Sequence, residues 1–270
     1  MPGAPAGLAR ATPSPGTGSP TAQARRDSHA RGAGSGTLAA VRFSRVPAAV
    51  WVAVLVVALA TGLGLPWWAG ARTAARYPVA ADDLAAARAA LDALPVRPAD
   101  PDDGYARERF GPAWDDVDGN GCDTRNDVLA RDLRDVRRDG AGCVVLAGTL
   151  DDPYTGTTFA FVRGPASAAV QIDHLVALDD AWRTGARTWP ASRRLTFAND
   201  PANLVAVSGD ANQDKGASDA AQWLPPQRGF ACVYVVRQLR VKAAYGLWLT
   251  PAEHAAAGRA LRGCLVAQPP

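Results

Sequence analysis

The sequence predicts an α+β fold, a domain of roughly 190 residues behind a disordered N-terminal tail and one apolar segment of membrane length. Three observations carry this. Residues 1–46 are rich in Gly, Ala, Pro, Ser, Thr and Arg and almost free of large apolar side chains. Residues 47–70 hold no charge at all. From residue 82 onward, helical and strand periodicities follow one another without any internal repeat.

The tail cannot bury enough surface to offset its ordering entropy, so residues 1–46 are expected to be disordered and cytoplasmic. Residues 47–70, "PAAVWVAVLVVALATGLGLPWWAG", are expected to form a transmembrane helix or signal anchor, since about 20 apolar residues cross a bilayer core. Arg10, Arg25, Arg26, Arg31, Arg42 and Arg45 precede this segment against one acid, Asp27. That bias places the N-terminal side in the cytoplasm and the bulk of the chain outside. "AGA" at 69–71 resembles a cleavage site, so cleavage near Ala71 would instead release a secreted protein. Residues 71–81 read as a linker and 82–264 as the folded domain.

Within that domain each element has its signal. "DDLAAARAALDAL" (82–94) has helical spacing, acids in its first turn and a stop at Pro95. "DTRNDVLARDLRDV" (123–136) reads as a helix capped by Asp123 or Thr124. "CVVLAGTLDDPYTGTTFAFVRG" reads as two strands around a turn. "AAVQID" should be a strand, "HLVALDDAWRTGA" and "PASRRLTFAND" helices, "NLVAV" a strand and "ANQDKGASDAAQW" a short helix. Two further helices, "ACVYVVRQLRVKAAYGLW" and "TPAEHAAAGRALRGCL", close the chain.

Cys122, Cys143, Cys232 and Cys264 all follow the apolar segment, and none forms a C-x-x-C pair, which argues against a zinc ribbon. Two disulfides suit an oxidising compartment. Three pairings are possible, and sequence order favours Cys122–Cys143 with Cys232–Cys264, each adding about 3–4 kcal/mol. The net charge of +3 misleads as a guide to partners: with the tail set aside, 23 basic residues stand against 25 acidic ones. Any nucleic-acid binding must therefore use a local basic patch and not a global field.

The chemistry concentrates in three short pieces: "IDH" (172–174), "NL" (203–204) and "NQDK" (212–215). Asp173 and Asn212 offer hard oxygen donors suited to Mg²⁺ or a similar cation that keeps several waters. His174, one of three histidines, could take a proton from water attacking a phosphodiester. Asn203 could orient the imidazole by hydrogen bonding, and a bound metal would polarise the phosphoryl oxygen. Arg125 offers a phosphate clamp or a salt bridge to Asp127 or Asp132. Lys215 offers a phosphate contact or a surface ion pair. "DVDGNGCDTRND" has the oxygen spacing of a calcium loop at Asp116, Asp118, Asn120, Gly121 and Asp127, but an Asx-rich turn before a helix is the simpler reading. Of the tryptophans, Trp182, Trp189, Trp223 and Trp248 are expected mostly in the core, with one free to stack on a base.

Asp-His, Asn-Leu and the nine-residue step from Asn203 to Asn212 with Lys three further on resemble the HNH endonucleases of the ββα-metal fold. "CDTRNDVLARDL", "GTLDDPYTG", "FANDPANLVAV", "ANQDKGASDAAQWLPP" and "VKAAYGLWLTPAE" are similar to the branch related to the C-terminal domain of GmrSD restriction enzymes, over about residues 80–264. The resemblance implies a ββα-metal (HNH) core with helical additions and one divalent metal, Mg²⁺ first with Mn²⁺ or Zn²⁺ as alternatives. It implies His174 as general base, Asp173 and Asn212 as metal ligands and Asn203 as the orienting residue, with Asn212 standing where many relatives have His. The gap between His174 and Asn203 would be one or two helices inserted in the hairpin. The implied function is phosphodiester hydrolysis of nucleic acid outside the cytoplasm, with no protein partner evident. The rival is a non-catalytic, disulfide-stabilised surface module binding nucleic acid or cell-wall polymer.

Overall fold

The computed structural model of the chain describes residues 47–59 and 77–267. The tail 1–46, the cleavage signal at 69–71 and most of the linker therefore lie outside the described residues. Of the apolar segment, Ala48–Leu59 forms helix α1, with every side chain exposed. Twelve residues rise about 18 Å, short of the roughly 30 Å hydrocarbon core, and residues 60–70 are not described. Among the described residues no helix is long and apolar enough to cross a membrane. The expected transmembrane helix thus has no support here.

The mixed α+β class holds. Helix α2 (Ala81–Ala93) is followed by a 3₁₀ turn at Arg107–Phe110 and by α3 (Thr124–Asp132), whose cap is Asp123, its carboxylate accepting from Asn126 N at 2.8 Å. The expected helix to Val136 stops four residues early. Leu133–Arg138 is strand β1, paired antiparallel with β2 (Val145–Asp151), which pairs in turn with β3 (Thr158–Val162). Pairing with β2 overrides the local helical pattern, and Asp135, in the left-handed region at φ 52°, marks the irregular register.

A second, two-stranded sheet carries the chemistry. β4 (Val170–His174) pairs antiparallel with β5 (Leu204–Ser208), with His174 opposite Leu204. Between them come α4 (Leu178–Arg183) and α5 (Ala191–Ala198), the two helices expected in the gap. The helix predicted from His174 begins only at Leu178, so His174 remains on the strand. β5 leads directly into α6 (Gly209–Lys215), completing a β-β-α unit. Ser208 caps α6, and its first residue must be glycine: a Cβ on Gly209 would lie 2.5 Å from the Ala168 carbonyl oxygen. Helices α7 (Ala231–Tyr245) and α8 (Pro251–Arg262) close the fold, α8 behind a capping box of Thr250 and Glu253.

β5 is buried on both faces. Leu204 and Ala206 pack with Val128, Leu150 and Ile172, whereas Val205 and Val207 pack with Tyr154, Val235 and Leu239. A third cluster holds Phe110, Trp182, Phe197 and Leu247. Both disulfides form as sequence order suggests: Cys122–Cys143 and Cys232–Cys264, with Cα separations of 5.2 and 5.3 Å.

Candidate active site

Adjacent residues of a strand point to opposite faces, and β4 uses this to separate Asp173 from His174. The His174 ring turns toward α5, where Nε2 lies 2.7 Å from the Ala198 carbonyl oxygen. A carbonyl can only accept, so Nε2 carries the proton and Nδ1 keeps its lone pair. The residue is 6% exposed, and burial lowers its pKa to about 3, so the ring is neutral at physiological pH. Nδ1 carries no proton and has no hydrogen-bond partner among the described residues, so it can accept one, while the burial that keeps the ring neutral also lowers its basicity.

Asp173 turns the other way, toward α6 and α7. Its Oδ2 accepts from Tyr154 Oη at 2.5 Å and its Oδ1 from Lys215 Nζ at 2.9 Å, all three side chains being buried. Burial pushes the Asp173 carboxyl up, while the Lys215 charge and the Tyr154 hydroxyl pull it down. Burial also holds the Tyr154 hydroxyl well above its ordinary range, so it remains a donor. Lys215 therefore meets neither expectation, surface ion pair or phosphate contact. It is 1% exposed and also donates to the His174 carbonyl at 2.9 Å.

Asn203 does not touch the imidazole, a correction to its expected role. Its Oδ1 accepts from Val176 N at 2.8 Å and its Nδ2 donates to Val176 O at 3.2 Å. The Leu175 carbonyl in turn accepts from Gln238 Nε2 at 2.7 Å. Every backbone carbonyl from His174 to Val176 is thus held by a buried side chain, which fixes an irregular segment that secondary structure leaves free. Asn203 holds the backbone next to the histidine, and the Ala198 carbonyl accepts from the ring.

The β4–β5 ladder leaves the other edge of β4 open among the described residues, and an open cavity of about 600 Å³ runs past it. Asp173, His174, Gln171 and Asn212 border this cavity, as do Arg107 and Trp114 from the segment before α3. Asn212 donates from Nδ2 to Gln171 Oε1 at 2.9 Å, leaving its Oδ1 without a partner among the described residues. Asp179 also lines the cavity, with Oδ1 buried and unbonded and its carboxyl pushed up by burial.

Arg125 lies elsewhere. It donates to the Val170 carbonyl at 3.2 Å and stands 5.9 Å from the centre of the Trp114 ring, making neither of the ion pairs considered for it. The exposed cation at the cavity is Arg107, whose charge contributes to lowering the His174 pKa. Sequence reasoning passed over "YARERFGPAW", which supplies Arg107 and Trp114; an arginine and a tryptophan seven residues apart in an otherwise irregular stretch was the available signal. In the Asp116–Asp127 loop, Asp116 accepts from Asn120 N and Gly121 N at 3.1 and 2.9 Å, and Asn120 Nδ2 donates to Asp127 at 3.2 Å. These bonds to the loop's own groups are those of the Asx-rich turn.

Whether the donors suit a metal follows from their chemistry. No group of three or more His, Cys, Asp or Glu gathers for a metal among the described residues. A carboxylate has about four acceptor sites, so Asp173, already bonded by Tyr154 and Lys215, retains acceptor capacity, and it lines the same cavity as Asn212, whose Oδ1 has no partner among the described residues. One carboxylate and one amide suit a hard cation that retains its waters, such as Mg²⁺, better than a zinc site of three or four N and S ligands.

A strand–strand–helix unit with a neutral histidine at its strand end is the arrangement that the resemblance to HNH endonucleases implies. The comparisons agree: residues 123–257, half of the chain, match the C-terminal domain of GmrSD restriction endonucleases, and the chain belongs to that family. It is also 40% identical over 180 residues to an "Uncharacterized secreted protein" of Arthroderma benhamiae, which covers 66% of this chain and 84% of that one. No solved structure matches.

Proposed function

We propose that the protein is a metal-dependent endonuclease that hydrolyses nucleic-acid phosphodiesters outside the cytoplasm. The observation that carries this reading is His174: buried, neutral, held at Nε2 by the Ala198 carbonyl and lining a cavity that Asn212 and Arg107 share. In this reading Nδ1 takes the proton of the attacking water. Arg107 receives the phosphate, a contact that the sequence offers for Arg125 and Lys215 only as one of two alternatives. Lys215, Asn203 and Gln238 keep the backbone of 174–176 still while the proton moves. Asp173 and Asn212 would hold the divalent ion, whose chemistry is to polarise the phosphoryl oxygen and to stabilise the leaving oxygen.

The two disulfides and the secreted relative support action outside the cytoplasm. In this reading residues 47–70 serve either as anchor or as cleaved leader. Mass spectrometry of the native N-terminus separates these, since a chain beginning near Ala71 has been cleaved.

The function is tested with DNA and RNA, single-stranded and paired, in Mg²⁺, Mn²⁺, Zn²⁺ or EDTA. Cutting should require the metal. His174→Ala should lower kcat by about 10²–10⁴-fold, and Arg107→Ala should act mainly on KM. Absence of cutting from the oxidised, folded chain with every metal would sink the nuclease reading and favour a binding module.

A further inference from the structure

Trp114 is out of place for a bulky residue. Its backbone lies in the left-handed region at φ 64°, which side chains of this size rarely adopt. Such strain persists only where the surroundings impose it, and here they fix where the ring goes. One side of the ring packs against the cluster that contains Val128, Leu133 and Ile172, with the Arg125 guanidinium 5.9 Å from its centre. The indole also borders two cavities that meet at His174, the open one along β4 and a smaller recess of about 190 Å³. Phe110, Gly111, Pro112, Leu178 and Ala198 make that recess largely apolar, and Arg107 stands at both cavities.

An apolar recess beside a rigid aromatic wall, with a cation at its mouth and the proton acceptor on its border, has the composition of a slot for one heterocyclic base. We infer that Trp114 and the recess take up an unstacked nucleobase next to the scissile phosphate, so that the substrate is single-stranded or locally unpaired nucleic acid. The inference rests on the nuclease reading for its reaction but not for its binding contacts. A perfectly paired duplex keeps its bases stacked inward and cannot fill the slot without the cost of extrusion. A free strand fills it at once, and every base has a face to offer. The slightly acidic balance of the domain agrees, because it forgoes the broad phosphate field that duplex binding uses.

The test measures binding and cutting separately on the full oxidised chain. Labelled short oligonucleotides, single-stranded and as the matching duplex, are titrated by fluorescence anisotropy in EDTA and cut in Mg²⁺. The native protein should bind and cut the single strand at least tenfold better than the duplex. Trp114→Ala should weaken single-strand binding by about ten- to a hundredfold and narrow that preference, and Trp114→Phe should restore most of it. Trp114→Gly, which removes the ring and relaxes the left-handed backbone, replaces Trp114→Ala if the latter does not fold. If a folded Trp114→Ala or Trp114→Gly binds the single strand as the native chain does, or if the native chain prefers the duplex, the base slot is wrong even where His174→Ala still abolishes cutting. If single-strand binding falls with the ring while no metal supports cutting, the slot stands and the nuclease reading falls. If the native chain binds no nucleic acid, both are overturned.

Discussion

His174 illustrates how one side chain is tuned by what surrounds it. A histidine in water changes charge near pH 6.5, whereas burial here moves that change to about 3. The sign follows directly. Between these values the unfolded chain binds a proton that the folded chain refuses, so this residue costs stability progressively as pH falls from 6.5 toward 3. Urea unfolding at pH 7.5 and pH 5 should show a loss of about 2 kcal/mol attributable to this residue, and His174→Gln should remove it. Comparing the two proteins isolates the effect from Glu253, whose pKa is raised by burial to about 7 and whose contribution runs the opposite way. The same low value keeps the ring unprotonated across the working range. The acidic side of an activity profile should then report some other group.

At the scale of elements, two buried lysines tie helices to strand β4 and to each other. Lys215 joins α6 to β4 through Asp173. Lys242 of α7 lies 2.9 Å from Asp180 of α4 and 2.7 Å from Glu253 of α8, with no solvent reaching any of the three in quantity. One ammonium between two carboxylates leaves an excess of negative charge, and burial answers by raising the Glu253 pKa. Lys242→Met should therefore strand both acids and destabilise the fold by about 3–5 kcal/mol, read as a lower urea midpoint. Replacing all three with apolar residues of similar volume should recover most of the loss.

These ties explain what the sequence could and could not disclose. "IDH", "NL" and "NQDK" were legible because the spacing of a strand–strand–helix unit is local, and the helices over 82–94, 231–248 and 250–265 because their periodicity is. β1 was hidden, since "LRDVRR" becomes a strand only where β2 presents a partner. The burial of Lys215 was hidden for a related reason: a lysine in "NQDK" looks exposed until Asp173 and the His174 carbonyl are folded over it. Arg107 reaches the site across the fold, by a route that no short motif records.

For the whole molecule, two covalent ties complement the three modest hydrophobic clusters found among the described residues. Cys122–Cys143 ties the turn before α3 to the turn before β2 with a separation of 21 residues, and Cys232–Cys264 ties α7 to the segment after α8 with one of 32. Chain entropy assigns each about 3–4 kcal/mol, a large share of the 5–15 kcal/mol that a domain usually has. Differential scanning calorimetry with and without reductant should show the melting midpoint fall by ten degrees or more (order of magnitude,). A midpoint unmoved by complete reduction would mean that the clusters suffice alone.

The second disulfide leads to a feature at the edge of the fold. Just beyond Cys264, Leu265 O accepts from Val79 N at 2.9 Å and Ala267 N donates to Val79 O at 2.9 Å, so the segment before α2 and the segment after α8 lie side by side. The order in which the chain visits its elements is then not dictated by the architecture. A circularly permuted version, with residues 77 and 267 joined by a short flexible peptide and new termini opened in the exposed loop at Asp103–Gly104, should fold to the same structure.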